Sequence, residues 1–237
     1  MLKVELHSHT ADDPLDRIPY STIQLINRAA ALKYDALAVT LHDRQLDLTN
    51  VQDYAAERGI VLIPGIERTI RGKHVLLLNF HSDAETVDSF SDLAALKRSQ
   101  PGGLVVAPHP YFPLPSALWG LLEDHADLFD AAEVNGMFTE SVDFNAPTRR
   151  WARATRTPLV GNGDIHRLTQ LGTTYSLVDA PAGAGADAIC AAVAAGRVEV
   201  VAHPHSWSTV GRLMSEIVLG NVLPIDWTVR TPSTDVA

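Results

Sequence analysis

The sequence predicts an α/β fold whose parallel sheet closes, or nearly closes, into a barrel. Short apolar segments alternate with amphipathic ones over nearly the whole 237-residue chain, as in parallel strands joined by crossover helices. About seven or eight such units fit into about 200 residues, a number that suits a barrel. An open, doubly wound sheet is the main alternative, and it too would gather the carboxyl ends of its strands along one edge.

Strands are expected where short apolar runs lie between turn signals. We place them at residues 4–7, 36–40, 60–64, 74–79, 104–107, 131–134, 159–160 and 198–201.

Amphipathic segments between these runs predict the helices. We place them at residues 21–32, 50–58, 85–98, 142–155 and 186–195. Ser21 can cap the first helix, whose apolar residues recur at helical spacing and predict a buried stripe. Gly59 and Gly196 stand where the C-terminal caps of two helices belong.

Length and composition indicate one domain with a large core, since 46% of the residues are hydrophobic. We expect one barrel domain over residues 1–237, with the motifs in 2–201 and a C-terminal extension from 202 whose polar end, 231–237, is frayed. No signal-like segment opens the chain, no apolar run approaches the roughly 18 residues of a membrane span, and Cys190 is the single cysteine. We therefore expect a soluble, cytoplasmic protein.

The net charge of −9 argues against a nucleic-acid footprint, which needs clustered lysines and arginines to neutralise phosphates. A small anionic substrate would need local cations in such a protein. Bound divalent metals would supply them.

The tripeptide His7-Ser8-His9, at the end of the first apolar-polar alternation, is the most informative chemical signal. Residues two apart on a strand face the same side, so two imidazoles within about 7 Å can hold one metal ion. Further candidate ligands stand at or near the ends of other apolar runs, where barrel strands bring reactive groups together. These candidates are Asp12, His42, Glu67, His74, His109, Asp164 and His166.

Nine such groups are too many for one ion. They suit two or three divalent ions of zinc, manganese or iron, with Glu67 or Asp164 bridging.

The order of these motifs resembles that of the polymerase and histidinol phosphatase (PHP) family. The residues that carry the resemblance are His7-Ser8-His9, Thr40-Leu41-His42, Gly65-Ile66-Glu67, His74, Ala107-Pro108-His109-Pro110 and Gly163-Asp164-Ile165-His166. The resemblance implies a distorted (β/α)7 barrel with a trinuclear metal site that hydrolyses phosphoesters. Two departures stand out: Leu41 occupies the place of an aspartate common in the family, and the loop after His9 lacks the usual Ser-Asp-Gly.

The resemblance also implies a ligand set for each ion. One ion would be held by His7, His9, Glu67 and Asp164. A second would be held by Glu67, His74 and His109. A third would be held by His42, His166 and an acidic residue of the first loop, either Asp12 or Asp13.

The residues predict a metal-dependent phosphoesterase that attacks with a metal-bound hydroxide, because bound metals lower the pKa of water towards 7 and polarise phosphoryl groups. His42 or His166 could protonate the leaving group. Arg44, Arg68 and Arg167 lie close in sequence to presumed ligands and could bind phosphate oxygens.

A small phosphorylated metabolite or nucleotide is the expected substrate, with no long nucleic acid and no membrane as partner. Two alternatives remain open. Amidohydrolases also begin with His-x-His on a barrel and cleave amides or lactones, but many bridge their metals with a carbamylated lysine, and Lys3, Lys33, Lys73 and Lys97 are poorly placed for that. A metal-stabilised regulatory domain without turnover is the other alternative.

Overall fold

The computed structural model describes residues 1–222, which form a nine-stranded mixed sheet flanked by helices. The strands are β1 (Leu2–Glu5), β2 (Ala36–Val39), β3 (Val61–Ile70), β4 (Lys73–Leu78), β5 (Leu104–Ala107), β6 (Ala131–Asn135), β7 (Leu159–Asn162), β8 (Thr174–Val178) and β9 (Val198–Ala202). The helices are α1 (Thr22–Ala31), α2 (Gln52–Ala56), α3 (Phe90–Ser99), α4 (Gly120–Asp124), α5 (Asn145–Thr155), α6 (Ala186–Ala194) and α7 (Trp207–Val222).

The sheet order is β7-β6-β5-β4-β3-β2-β1-β8-β9, and its two ends curl towards each other into a nearly closed barrel. The seam between β7 and β8 is joined by a side chain: the Ser176 hydroxyl accepts from the Gly161 amide at 2.9 Å and donates to the Gly161 carbonyl at 3.1 Å. A Cβ on Gly161 would lie only 2.7 Å from the Tyr175 carbonyl oxygen, so glycine permits this close approach. The predicted barrel class is confirmed.

The predicted count of seven parallel βα units is not confirmed, because the sheet is mixed. Pairing is parallel for β1–β2, β2–β3, β5–β6 and β6–β7, and antiparallel for β1–β8, β3–β4, β4–β5 and β8–β9. The strands predicted near residues 60 and 74 form a hairpin, turning at Arg71 and Gly72, both of which have positive φ. Such a two-residue turn matches the twist of a hairpin.

Three elements were missing from the sequence-based assignment: β8, the short α4 and α7. Strand β8 lies antiparallel between β1 and β9, and its residues alternate between buried and half-buried. Helix α7 begins inside the predicted C-terminal extension. The predicted frayed end, 231–237, lies outside the described residues.

The helices form where local signals place them. Helix α1 begins at a capping box in which the Ser21 hydroxyl accepts from the Gln24 amide and the Gln24 side chain accepts from the Ser21 amide. The barrel interior and the layers between sheet and helices are filled by three clusters of buried aliphatic and aromatic side chains. Within residues 1–222, no helix has both the length and the apolar character needed to cross a bilayer.

Candidate metal centre

Eight of the nine predicted ligands converge at one mouth of the barrel. His7 and His9 follow β1, His42 follows β2, and His109 follows β5. Glu67 and His74 face each other across the β3–β4 hairpin, while Asp164 and His166 follow β7. The ends of five neighbouring parts of the sheet therefore supply the donors of one cluster.

Backbone geometry turns these residues inward. His109 and Asp164 have positive φ values of 30° and 48°, conformations that non-glycine residues rarely adopt and that often mark functional sites. The buried Glu5 carboxylate accepts from the backbone amides of His7 and Gly163, both at 3.1 Å. It thereby links the segment after β1 to the segment after β7. Burial raises the pKa of Glu5 well above its ordinary value. Sequence reasoning missed this role, although a glutamate inside an apolar strand is an unusual feature.

Four donor atoms have the spacing of ligands around a single cation. Glu67 Oε2 lies 3.3 Å from His7 Nε2 and 3.4 Å from His9 Nε2. Asp164 Oδ1 lies 3.4 Å and 3.5 Å from the same two nitrogens. A tetrahedral ion with bonds of about 2.0–2.1 Å has ligands about 3.3–3.4 Å apart, so these four edges fit. His7 Nε2 and His9 Nε2 are buried and make no hydrogen bond, as expected of lone pairs kept for a cation.

The other nitrogen of His7 is fixed by a buried carboxylate. His7 Nδ1 lies 2.8 Å from Glu133 Oε2. Glu133 is itself held by the side-chain amides of Asn162, at 3.0 Å, and Asn135, at 2.8 Å. A carboxylate that accepts from one ring nitrogen directs the opposite lone pair to a metal, so this network orients His7.

Asp13, not Asp12, is the acidic residue of the first loop that faces the cluster. Asp13 Oδ2 lies 2.9 Å from His9 Nδ1 and 3.0 Å from His42 Nδ1, and its side chain is fully buried. The prediction of Asp12 is wrong, because Asp12 is exposed and its carboxylate accepts from the hydroxyls of Thr10 and Thr22 at 3.1 and 2.9 Å. The loop turn decides which of the two neighbouring aspartates points inward.

Glu67 is the central carboxylate of the cluster, because its two oxygens contact five imidazoles. The partners of Oε2 are His7, His9 and His42, the last at 3.2 Å. The partners of Oε1 are His74 Nδ1 at 2.7 Å and His109 Nε2 at 3.2 Å. A carboxylate with donors on both oxygens has the arrangement of a bridge between two cations.

The trio of Asp12, His42 and His166 implied for a third ion is not brought together. His42 and His166 each lie beside His9, with ring centroids 4.6 and 4.5 Å from the His9 ring. Among residues 1–222, no group of three closely spaced donors contains both. His166 instead lies 3.4 Å from Asp164 through Nδ1 and 2.9 Å from Asp16 through Nε2.

Sequence reasoning missed Asp16. The signal available was the acidic loop after His9, which carries three aspartates within five residues, at 12, 13 and 16.

The electrostatics of the cluster suit cation binding. Burial opposes ionisation of Glu67, but the charges of His74 and His7 and the hydrogen bond of His109 outweigh it, and the pKa of Glu67 falls well below its ordinary value. Burial lowers the pKa of His42, but Asp13 and Glu67 outweigh it and raise the pKa to about 9. Carboxylates that stay ionised beside imidazoles that hold protons make a site in which a metal can replace those protons.

The three arginines predicted to bind phosphate do not line this site. Arg44 is exposed and donates to the Asp12 carbonyl. The other two arginines are held by carboxylates elsewhere: Arg68 by Asp43 and Asp88, and Arg167 by Glu216. Their closeness in sequence to presumed ligands did not predict side-chain direction, since neighbours along a chain point to different sides.

The cluster forms the floor of a cavity of about 450 Å³. His42, Glu67, His74, His109, Asp164, His166 and Asp16 lie on the floor. Apolar side chains from the loops after β5 and β6 and from α7 form the sides. The arrangement can hold cations at the bottom of a mostly apolar chamber.

No protein-family model and no curated protein matches the sequence. Solved structures do match the fold. A two-domain protein of Bacteroides vulgatus that contains a predicted PHP-like metal-dependent phosphoesterase is 19% identical, with a TM-score of 0.64 over 85% of this chain and 65% of that one. This chain therefore spans less than two thirds of that protein. The match confirms, at the level of the fold, the resemblance to the PHP family.

Two further structures bear on the function. An amidohydrolase of Chromobacterium violaceum, solved with bound sulfate and no metal, is 16% identical with a TM-score of 0.56, over 88% of this chain and 96% of that one. The lesion-specific endonuclease Q of Pyrococcus furiosus is 14% identical with a TM-score of 0.54, over 84% of this chain and 57% of that one.

The expectation of no nucleic-acid partner is corrected by these comparisons, while the small substrate stays a prediction. A similar structure is endonuclease Q in complex with a 27-mer duplex that carries an abasic lesion at the active site. A net charge of −9 averages over the whole surface and does not decide what reaches one mouth of the barrel.

Proposed function

We propose that this chain is a metal-dependent phosphoesterase whose floor cluster holds two or three divalent ions of zinc, manganese or iron. The observation that carries the proposal is a set of four donor atoms spaced 3.3–3.5 Å apart, two of which are buried imidazole nitrogens that make no hydrogen bond. The fold shared with a protein that contains a PHP-like phosphoesterase, and with a lesion-specific endonuclease, supports phosphoester hydrolysis as the reaction.

The donors divide into two sets that share Glu67. His7, His9, Glu67 and Asp164 would hold one ion, and Glu67, His74 and His109 would hold a second. A third would lie beside Asp164 and His166, whose Oδ1 and Nδ1 atoms are 3.4 Å apart and which form a group of closely spaced donors with His9. Divalent ions bound there lower the pKa of a bound water towards neutrality and polarise the phosphoryl group.

When only the first two ions are bound, His166 is the residue best placed to deliver a proton to the leaving oxygen, because it belongs to neither of their ligand sets. It lines the cavity, and its Nε2 lies 2.9 Å from Asp16. Burial lowers the pKa of His166, but the charge of Asp164 and the hydrogen bond to Asp16 outweigh it and raise the pKa above its ordinary value. His42, the other predicted acid, has its Nδ1 against Asp13 and its Nε2 against Glu67, which suits a ligand better than a proton donor.

Amide or lactone hydrolysis is the second candidate, because the amidohydrolase of Chromobacterium violaceum shares the fold. A carbamylated lysine bridge is not available for it. Lys3, Lys73 and Lys97 bond backbone carbonyls away from the cluster, and no lysine of residues 1–222 lines the cavity.

The test is metal content per chain together with phosphate release from phosphomonoesters, phosphodiesters and a duplex oligonucleotide with an abasic site. His9→Ala and Asp164→Ala should lose metal and all phosphate release. His81→Ala, an exposed histidine outside the cluster, is the matched control and should keep both.

Three outcomes separate the candidates. Release from any phosphoester that both variants abolish supports the proposal. Metal with turnover of amides or lactones alone replaces it by an amidohydrolase. Bound metal without turnover of any of these substrates replaces it by a non-catalytic metal-binding domain.

A further inference from the structure

The side of the cavity above the metal centre is apolar, and metal binding at the floor does not explain this lining. We infer, on the premise of the phosphoesterase function above, that this site selects phosphoesters whose leaving alcohol is an uncharged aromatic or aliphatic group. That group would bind to the ten apolar side chains at the side of the cavity, here called the apolar wall. The apolar wall consists of Phe112, Leu114, Met137, Phe138, Val142, Phe144, Trp207, Val210, Met214 and Ile217.

The apolar wall continues directly from the metal ligands. Phe112 follows His109 by one turn of chain, and their rings lie 6.4 Å apart. On the far side Phe112 packs against Phe144, with ring centroids 5.6 Å apart. A phosphoryl group at the floor would therefore place its ester oxygen and the carbon attached to it against aromatic surface.

Large apolar side chains are left partly exposed around this mouth. Trp207 is 59% and Met214 43% exposed, although both line the cavity, and Leu114 and Phe144 are also exposed. Soluble proteins seldom leave several such side chains next to one another without a ligand or partner that covers them. Because these four side chains line the cavity that ends at the floor, a substrate bound at the floor would cover them.

The charge of the lining restricts what that group can be. Among residues 1–222, neither a lysine nor an arginine lines the cavity, and its charged side chains belong to the floor. The phosphoryl group would be neutralised by the cations there. A second anionic group on the alcohol would be desolvated against the apolar wall without a partner, which is costly.

The volume matches a group of moderate size. About 450 Å³ lies near the lower end of ligand pockets, which run from about 300 to 1,000 Å³. A phosphoryl group with a phenylalkyl chain fits such a chamber.

Helix α7 is held in place as part of the apolar wall. The His205 amide, just before α7, donates to the Phe138 carbonyl at 2.8 Å, and Trp207 Nε1 donates to the Ser141 hydroxyl at 3.1 Å. Arg167 donates to the Glu216 carbonyl and lies 3.7 Å from the Glu216 carboxylate. These bonds link α7 to the loop after β6 and to the residue that follows His166.

The experiment compares three alkyl phosphates whose leaving alcohols have similar acidity, so that chemistry does not favour one of them. With the metal-loaded full chain, 3-phenylpropyl phosphate should show a kcat/KM at least about tenfold above ethyl phosphate, because each methylene in an apolar pocket contributes severalfold. A carboxylate-bearing analogue, 2-carboxyethyl phosphate, should fall below ethyl phosphate. Calorimetric binding of the non-hydrolysable 4-phenylbutylphosphonate and propylphosphonate should show the same preference without turnover.

Helix α7 supplies a matched pair of variants. Met214→Ala with Ile217→Ala removes apolar wall from the cavity, and the ratio of kcat/KM for 3-phenylpropyl to ethyl phosphate should fall about tenfold. Leu219→Ala truncates an exposed residue of the same helix outside the cavity and should leave the ratio unchanged.

Equal or better cleavage of ethyl phosphate, of 2-carboxyethyl phosphate or of a duplex oligonucleotide with an abasic site would overturn the inference while leaving the phosphoesterase proposal intact. A loaded protein that cleaves none of these esters contradicts the phosphoesterase proposal itself.

Discussion

The floor and the apolar wall of the cavity differ in how firmly their side chains are held and how exposed they are. Most donors of the floor stand at or near a strand end, and several are fixed by a second contact, as His7 is by Glu133 and His9 by Asp13. The apolar wall comes from two loops and α7, and several of its side chains stay exposed. A rigid floor suits a reaction that needs fixed charges, and a looser apolar wall suits the recognition of one substrate among many.

The largest effect is expected from removing the carboxylate that both metal sets share. Glu67→Gln keeps the shape but takes away the charge that contacts five imidazoles, so phosphate release should fall about a thousandfold or more, with loss of bound metal. The measurement is metal content by plasma emission spectroscopy beside the release rate. Glu140→Gln, at an exposed position, is the control. Full metal content in Glu67→Gln would contradict the central role of Glu67 in holding the ions.

A rise in pH should lower the stability of the metal-free chain and raise its affinity for metal. In the metal-free chain the pKa of His42 is raised from 6.5 to about 9. A histidine whose pKa is higher in the folded than in the unfolded chain stabilises the fold fully at a pH below the unfolded pKa. That stabilisation is lost as the pH rises through the folded pKa. Urea unfolding of the metal-free chain should therefore show stability falling between pH 6.5 and 9, by up to about 3 kcal/mol.

Metal affinity should rise across the same interval, because cations bind the deprotonated imidazole. If the metal-free chain instead became more stable across this interval, the claim that the imidazoles of the floor hold protons would be contradicted.

A smaller effect is expected from the carboxylate that orients His7. Glu133→Gln keeps the size of the side chain but replaces one accepting oxygen by a donating amide, which weakens the hold on His7 Nδ1, so metal affinity should fall about 10- to 100-fold. Competition with a chelator dye measures this loss, and circular dichroism reports whether the fold persists. Unchanged affinity in a folded variant would mean that His7 needs no such orientation.

The smallest expected effect concerns the wall alone. Arg167→Met keeps the apolar stem but removes the bonds to Glu216, so α7 should loosen and kcat/KM for 3-phenylpropyl phosphate should fall about fivefold. Bound metal should stay at the wild-type amount, because the Arg167 side chain bonds the backbone carbonyl of His166 and not its ring. Loss of metal in this variant would show that wall and floor are not separable.

Much of the floor was predictable from sequence because most of its donors come shortly after strands, as His109 does after β5 and Asp164 after β7. The direction in which neighbouring side chains point was not predictable from sequence. Asp12 and Asp13 are chemically identical, and only the three-dimensional turn of the loop buries one and exposes the other. Arg68 and Arg167 failed as phosphate ligands for the same reason, since carboxylates elsewhere attract them.

The apolar wall and the mixed sheet were hidden from sequence reasoning. Trp207, Val210, Met214 and Ile217 recur at helical spacing, which is equally typical of an ordinary core-facing stripe. The β3–β4 hairpin was hidden because pairing direction depends on strands far apart in sequence, and each strand by itself is only an apolar run.

The most direct measurement is anomalous diffraction from crystals of the full chain soaked with Mn²⁺ or Zn²⁺. We expect a peak within about 2.0–2.3 Å of His7 Nε2, His9 Nε2 and Asp164 Oδ1, and a second beside Glu67, His74 and His109. Peaks only at surface carboxylates, with none among these donors, would contradict the proposal that the floor is a metal centre.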